Sequence, residues 1–175
     1  SGSVVLVFDN YEALNGPVAD VEFMIRDSHT VYDLSTSGTK LVVAGAFMVS
    51  IQSSVPASSG VVDANVLAGD GFPGCSSSRL EQVTAAYLTP DGKRLIVADT
   101  NNHRVLIWND VDQATGPLDD ADVVLGQEGM NTCEANADGS PNRNTLNRPS
   151  SVWSDGVRLL VAHSGNNRTL GWNDI

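Results

Sequence analysis

The chain writes one thirteen-residue sentence twice, and that repetition constrains its fold more than any other feature. "ADTNNHRVLIWND" runs from Ala98 to Asp110, and "AHSGNNRTLGWND" from Ala162 to Asp174. Ala98, Asn102, Arg104, Leu106, Trp108, Asn109 and Asp110 recur in register, 64 residues on, as Ala162, Asn166, Arg168, Leu170, Trp172, Asn173 and Asp174. Self-similarity at fixed spacing marks a structure made by stacking one supersecondary unit, since neighbours bury faces that a lone unit leaves wet.

Three further segments align without gaps: "STSGTKLVVAG" (Ser35–Gly45), "TPDGKRLIVAD" (Thr89–Asp99) and "WSDGVRLLVAH" (Trp153–His163). Each has a Gly, a Lys or Arg within two residues, Leu three after the Gly and Ala six after it. "ADVEFMI" from Ala19, "ANVLAGD" from Ala64 and "ADVVLGQ" from Ala121 form a second set. "VLVFDN" from Val5 joins "VLIWND" from Val105 and "TLGWND" from Thr169 in a third. The period is roughly 55–60 residues, with unequal loops.

Each motif has a local physical meaning. "PDG" and "SDG" are tight turns, because Gly tolerates the positive φ that closes a hairpin. "RLIVA" and "RLLVA" are unbroken apolar runs, expected of strands covered on both faces. "DTNNHR" and "HSGNNR" supply polar turn residues whose short side chains bond the backbone. "VLIWND" is the next strand and "DADVVLG" a fourth, reached through a loop marked Gly-Pro at Gly16-Pro17 and Gly116-Pro117. With "VTAAYLT" and "PSSVWS" preceding the turns, the unit is four short antiparallel strands. A tandem four-stranded unit at this period predicts an all-β chain, a β-propeller of four-stranded antiparallel blades. A linear β-solenoid has shorter coils, and a β-sandwich does not rewrite one strand-and-turn sentence three times.

"GKRLIVADTNNHRVLIWND" resembles an NHL repeat: a strand ending in Ala-Asp, an Asn-rich turn, Arg-Val and an aromatic strand. The longer stretch through "CEANADGSPNRNTLNRPSSVWSDGVRLLVAHSGNNR" is similar to extended NHL-like repeats of large secreted bacterial proteins. The likeness covers Val83 to Asp174. The copy from Val31 to Gly69 departs from it, with Gly45 in place of the Asp and "AFMVSIQ" in place of the Asn-rich turn and Arg. The resemblance implies a propeller, usually of six blades, with ligands at a central face; it does not fix an activity.

Residues 1–175 read as one NHL-like segment, with approximate repeats at 1–30 (partial), 31–82, 83–150 and 151–175 (partial). That is about three blades, a partial ring whose open end would expose an apolar blade face. The expected partners are therefore the remaining blades of a longer chain, or a second copy forming a homodimer of about six blades. The formal net charge of −11, from ten Lys and Arg against 21 Asp and Glu, repels polyanions, so no nucleic acid is expected. No stretch approaches the ~18 apolar residues of a membrane span. An acidic surface rich in Asn, Asp, Ser and Thr suits an extracellular or periplasmic setting.

Candidate chemistry is sparse. Some NHL propeller enzymes hold zinc through axial histidines, and that resemblance makes His163, His103 and Asp99 candidate metal ligands. His163 stands where the other copies have Asp99 and Gly45, His103 aligns with Asn167 in the turn, and His29 lies outside the repeat frame. Asp99, Asn101, Asn102, Asn166 and Asn167 offer oxygens to Ca²⁺, but the chain has no EF-hand loop and the turn itself has use for them. Arg104 and Arg168, repeated in each regular copy, read as scaffold. The departures (His163, Gly45, and Gly171 for Ile107) are where a pocket would be centred. Trp108, Trp172 and Phe8 share one strand position and read as inter-blade packing. Cys75 and Cys133 are repeat-equivalent, and a disulfide between them requires Cα atoms within ~7 Å, which spacing alone leaves open. No nucleophile elbow, P-loop or dinucleotide fingerprint occurs. The expected function is a non-catalytic binding or scaffold module presenting a ring face to a protein, peptide or glycan. The alternative is a metal-dependent lyase or hydrolase, using Zn²⁺ or Ca²⁺ at an axial site.

Overall fold

The computed structural model describes residues 68–69, 73–114 and 118–175 with their side chains, and the backbone of further strands between Val4 and Pro117. In chain order the strands are β1 (Val4–Phe8), β2 (Val21–Ile25), β3 (Thr30–Ser37), β4 (Lys40–Ala46), β5 (Val49–Ser53), β6 (Val66–Ala68) and β7 (Val83–Leu88). β8 (Leu95–Asp99), β9 (Arg104–Trp108), β10 (Gly116–Pro117), β11 (Val123–Leu125), β12 (Pro149–Ser154), β13 (Leu159–His163) and β14 (Arg168–Trp172) follow. The fold is all-β: among the described residues there are short 3₁₀ turns but no α-helix, and no helix long and apolar enough to cross a membrane.

The central sheet is an antiparallel meander, β7-β8-β9-β11, and the C-terminal sheet, β12-β13-β14, repeats its first three strands. The registers coincide. Asp99 pairs with Arg104 and Leu95 with Trp108 in one sheet, as His163 pairs with Arg168 and Leu159 with Trp172 in the other. The first two strands of each sheet skip one residue, Thr84 and Ser150, opposite the end of the second strand. This shared bulge lets the strand bend while the remaining residues keep their faces.

The N-terminal sheet has the order β10-β6-β1-β4-β3, with β3 carrying the same one-residue skip at Tyr32. Here the chain departs from a sequential meander. The place beside β4 is taken by β1 from the start of the chain, and β5, which follows β4 in sequence, pairs with β2. Val4 faces Gly45 and Phe8 faces Leu41, the register in which Arg104 faces Asp99 and Trp108 faces Leu95. The physical reason is composition. Every residue of the corresponding strand β9 is buried, so "VVLVF" suits such a position better than the half-polar "VSIQS".

The sheets stack. β12 lies against β7 and β8, while β3 and β4 lie against β7 on the other side. Ala85, Ile96, Ala98, Val105 and Ile107 of the central sheet form one core with Leu146, Val152, Leu159 and Val161. Its opposite face contributes Ala86, Leu95, Val97, Leu106 and Trp108 to a second core that includes Ala68 of the N-terminal sheet. β8, the "LIVAD" strand, is accordingly buried at every position. β13, its equivalent, alternates between buried and open because only one of its faces is covered by a described sheet. Trp108 is buried in the second core and donates its indole N–H to the Asp119 carbonyl at 2.9 Å, whereas Trp172 is half-buried beside the first.

Candidate functional site

The repeated polar residues assemble into one cage in the central sheet and one in the C-terminal sheet, at the end where the second strand turns into the third. In the central sheet Arg104 is fully buried and donates Nε–H to Asp99 Oδ2 at 2.8 Å. Three of its four remaining N–H groups go to the carbonyls of Met130, Ser76 (2.7 Å) and Arg79 (2.8 Å). Asp99 also accepts the Glu81 N–H on Oδ1 at 2.6 Å and the Asn102 amide on Oδ2 at 2.9 Å. Asn102 spans onward to the Gly74 carbonyl at 2.8 Å. Arg is suited to this work because its planar fork presents several donors at fixed angles, so one side chain ties two loops to one strand. Burial pushes the Asp99 carboxyl above its ordinary range, opposed by Arg104, the Glu81 N–H and the Asn102 amide.

The C-terminal sheet rebuilds this cage around His163, which is 1% exposed. Arg168 donates Nε–H to His163 Nε2 at 3.0 Å and reaches the Asn142 and Thr145 carbonyls, at 2.5 and 3.2 Å. The Asn147 N–H approaches Nδ1 at 3.3 Å, as Glu81 approaches Asp99, and the Asn166 amide lies 3.2 Å from the same nitrogen. A carboxylate accepts on both oxygens, but a neutral imidazole has one bare nitrogen. Donors flank His163 on both sides, so one ring nitrogen carries a proton toward a donor. Burial and the adjacent Arg168 both hold the His163 pKa below its ordinary value.

His103 sits apart from both cages. It ends the Asn-rich turn at φ 53°, as Asn167 does at φ 51°, a left-handed conformation in which Asn and His are over-represented. Its Nδ1 accepts the Arg148 N–H across the sheet–sheet boundary at 3.1 Å. Desolvation and Arg148 lower its pKa, with Glu134 opposing. Nearby, Thr84 and Thr100 lie 2.6 Å apart through their hydroxyls, and Thr100 donates to the Pro149 carbonyl at 2.6 Å. Asp99, His163 and His103 thus belong to three separate hydrogen-bond groups. Among the described residues no cluster of three or more His, Cys, Asp or Glu side chains is placed to hold a metal ion. Asn101 uses its backbone N–H to bond Glu81 at 3.1 Å, and Gly165 repeats that bond to Asn147 at 3.0 Å. His29 and the Gly16-Pro17 loop lie outside the described residues.

Cys75 and Cys133 form a disulfide with Cα atoms 6.1 Å apart. Repeat-equivalent loops meet here because the first leads into the start of β7 and the second leaves the finish of β11, both at the Asp99–Arg104 end of the central sheet. The bond joins the two loops whose carbonyls, from Ser76, Arg79 and Met130, receive Arg104.

Sequence reasoning missed a cavity of about 150 Å³ lined by Gln127, Glu128, Thr132, Glu134, Ala137 and Asp138. Gln127 donates its amide to the His103 and Glu134 carbonyls at 3.1 and 2.8 Å, and its Oε1 is buried without a partner. The acidic run "CEANAD" was the only signal, and nothing in it foretold that Asn136, Ala137 and Asp138 take left-handed φ values of 57°, 51° and 59° in succession.

No protein-family model matches the chain, and no curated protein matches it significantly. The fold and the cages define its class on their own: an all-β protein whose central and C-terminal antiparallel sheets are each pinned at one end by an Arg-centred polar cage.

Proposed function

We propose that the chain is a run of blades from an NHL-type β-propeller, an exported bacterial module that binds a protein, peptide or glycan rather than catalysing a reaction. The observation that carries this reading is the identity of construction between sheets: the same strand order, the same pairings at the strand ends, the same bulge, and face-to-face stacking. Units related in this way are expected to continue around an axis, completed by further blades or by a second copy. The Cys75–Cys133 disulfide supports an oxidising, extracytoplasmic setting.

Binding is favoured over metal-dependent catalysis because the repeat-defined polar groups are engaged. Asp99 receives three donors and His163 is flanked by donors on both nitrogens, so a metal at either would have to displace a buried Arg interaction. Available side chains lie on the loops at the same end: Arg148, Asn167 and Ser164 are exposed there, with His103 between the sheets. The test is retention of peptides and glycans on arrays probed with the protein, repeated with Arg148→Glu. Binding that weakens in the variant is the expected result. Arrays that retain nothing, or turnover that appears on adding Zn²⁺ or Ca²⁺, would overturn the reading.

A further inference from the structure

Two residues that break the repeat converge on one dipeptide. His163 stands where the central sheet has Asp99, and His103 stands where the C-terminal sheet has Asn167. In the folded chain the adjacent backbone N–H groups of Asn147 and Arg148 point to these two rings. Asn147 approaches His163 Nδ1 at 3.3 Å and Arg148 donates to His103 Nδ1 at 3.1 Å. The carbonyls of the same segment are held as well. Asn147 accepts the Gly165 N–H and Arg148 the Ser164 N–H, both at 3.0 Å, and Pro149 accepts the Thr100 hydroxyl at 2.6 Å. Thr100 and His103 belong to the turn of the central sheet, and His163, Ser164 and Gly165 to that of the C-terminal sheet. This short segment therefore straps one sheet to the other.

The corresponding segment ahead of β7 is held by different chemistry. There the Glu81 N–H goes to an Asp99 carboxylate oxygen at 2.6 Å, and Gln82 holds φ 52° as Arg148 holds φ 51°. A non-glycine residue keeps that left-handed conformation only where its surroundings fix it. A carboxylate has lone pairs to spare, whereas a neutral imidazole has one bare nitrogen and an imidazolium none. Protonated His103 would turn an N–H toward the Arg148 N–H. Protonated His163 would face the Asn147 N–H and the Asn166 amide on one side and the Arg168 guanidinium on the other, whichever nitrogen carries the proton in the neutral ring. Burial opposes protonation of both rings. Arg148 adds to that opposition at His103, where Glu134 and the hydrogen-bonded Asn147 side chain act the other way, and Arg168 adds to it at His163.

We infer that Asn147–Pro149 is an acid-released strap: the neutral rings of His103 and His163 hold it between the two sheets, and protonating them lets it go. Each ring resists the proton while the strap is closed and takes it once the strap opens. Opening therefore becomes easier as pH falls below 6.5, by about tenfold per pH unit for each histidine that binds a proton, until the closed-state values are passed. Release frees Arg148, exposed at this boundary, from its left-handed backbone and so changes the side chain presented there. The device is independent of what the module binds.

Amide hydrogen exchange of the whole chain between pH 7.5 and pH 5 tests it, expressed as protection factors so that the intrinsic pH dependence of exchange is removed. The amides to follow are those of Asn147, Arg148, Ser164 and Gly165, with those of β8 and β9 as reference. The expected result is protection that is level above pH 6.5 and then falls by up to about 100-fold per pH unit at the strap, while the reference strands hold. His103→Asn and His163→Asp, each taking the residue of the other copy, should each reduce the fall to at most about tenfold per pH unit, and together remove it. Level protection at the strap, a fall shared by β8 and β9, or a fall that survives in the double variant would overturn the inference. Ring titration by NMR on the unaltered chain keeps the test decisive if a variant does not fold: two folded-state pKa values below 6.5 are expected, and ordinary values at both rings would overturn it equally.

Discussion

Asp99 and His163 occupy one structural position with different chemistry, and the difference has measurable consequences. Removing Asp99 leaves Arg104 buried without its counter-charge, a change that costs about 3–5 kcal/mol. Asp99→Ala should show that loss in denaturant unfolding; a change below 1 kcal/mol would mean that the carbonyls alone satisfy Arg104. His163→Asp should act in the opposite direction, because a carboxylate can accept from both sides of the cage. A gain of about 1 kcal/mol at neutral pH is expected. The pH dependence follows the sign of the shift. Since the folded-state pKa of His163 lies below the ordinary 6.5, the unfolded chain takes up the proton first. His163 therefore contributes stability that is present above about pH 6.5, declines as pH falls below it, and is fully lost below the folded value. The His163→Asp variant should flatten that decline between pH 7.5 and pH 5; an unchanged slope would assign the titration elsewhere, His103 first.

At the scale of the element, the disulfide and one glycine hold the loops that feed the central sheet. Cys75 and Cys133 are 58 residues apart in sequence, so cross-linking them removes loop-closure entropy from the unfolded chain. The double variant Cys75→Ser/Cys133→Ser should lose about 4 kcal/mol on that account, read from urea unfolding. Gly126 ends β11 at φ 92°, and a Cβ there would come within 2.7 Å of the buried Leu146 side chain. Gly69 has the same φ at the same repeat position, so the conformation belongs to the unit. Gly126→Ala should destabilise by more than about 1 kcal/mol, from left-handed strain together with the clash. A neutral result would require Leu146 to move without loss of packing.

For the whole molecule, stacking sets a gradient of stability. β8 and β9 lie in the middle of a sheet covered on both faces, while β14 is covered on one face and has a sheet neighbour on one side only. Amide exchange should be slowest in Leu95–Asp99 and Arg104–Trp108 and fastest, among these strands, in β14. Uniform protection across both sheets would point to an added partner on the outer face.

Much of this architecture was legible in the chain because repeats leave the same physical mark each time. Apolar runs, Asp-Gly turns and an Asn-Arg sentence announced strands, hairpins and their order, and the equivalence of Phe8 with Trp108 is the one that the β1–β4 register displays. Local sequence also placed Asp99 and His163 at one repeat position and read the paired Arg104 and Arg168 as scaffold. It could not say that Arg104 would be wholly buried, because its acceptors are backbone carbonyls from loops 25 to 28 residues away, invisible in side-chain identity. Nor could it settle the Cys75–Cys133 pairing, which depends on how far apart two equivalent loops lie once the sheet stands between its neighbours. The pairing of β1 rather than β5 beside β4 was likewise a tertiary outcome: two strands, one from the start of the chain and one next in sequence, were available for one place in the sheet. Sequence alone determined the unit, since strand and turn chemistry act over a few residues. Tertiary structure decided how units share strands, bury charge and meet, since those depend on surfaces that exist only after the chain has folded.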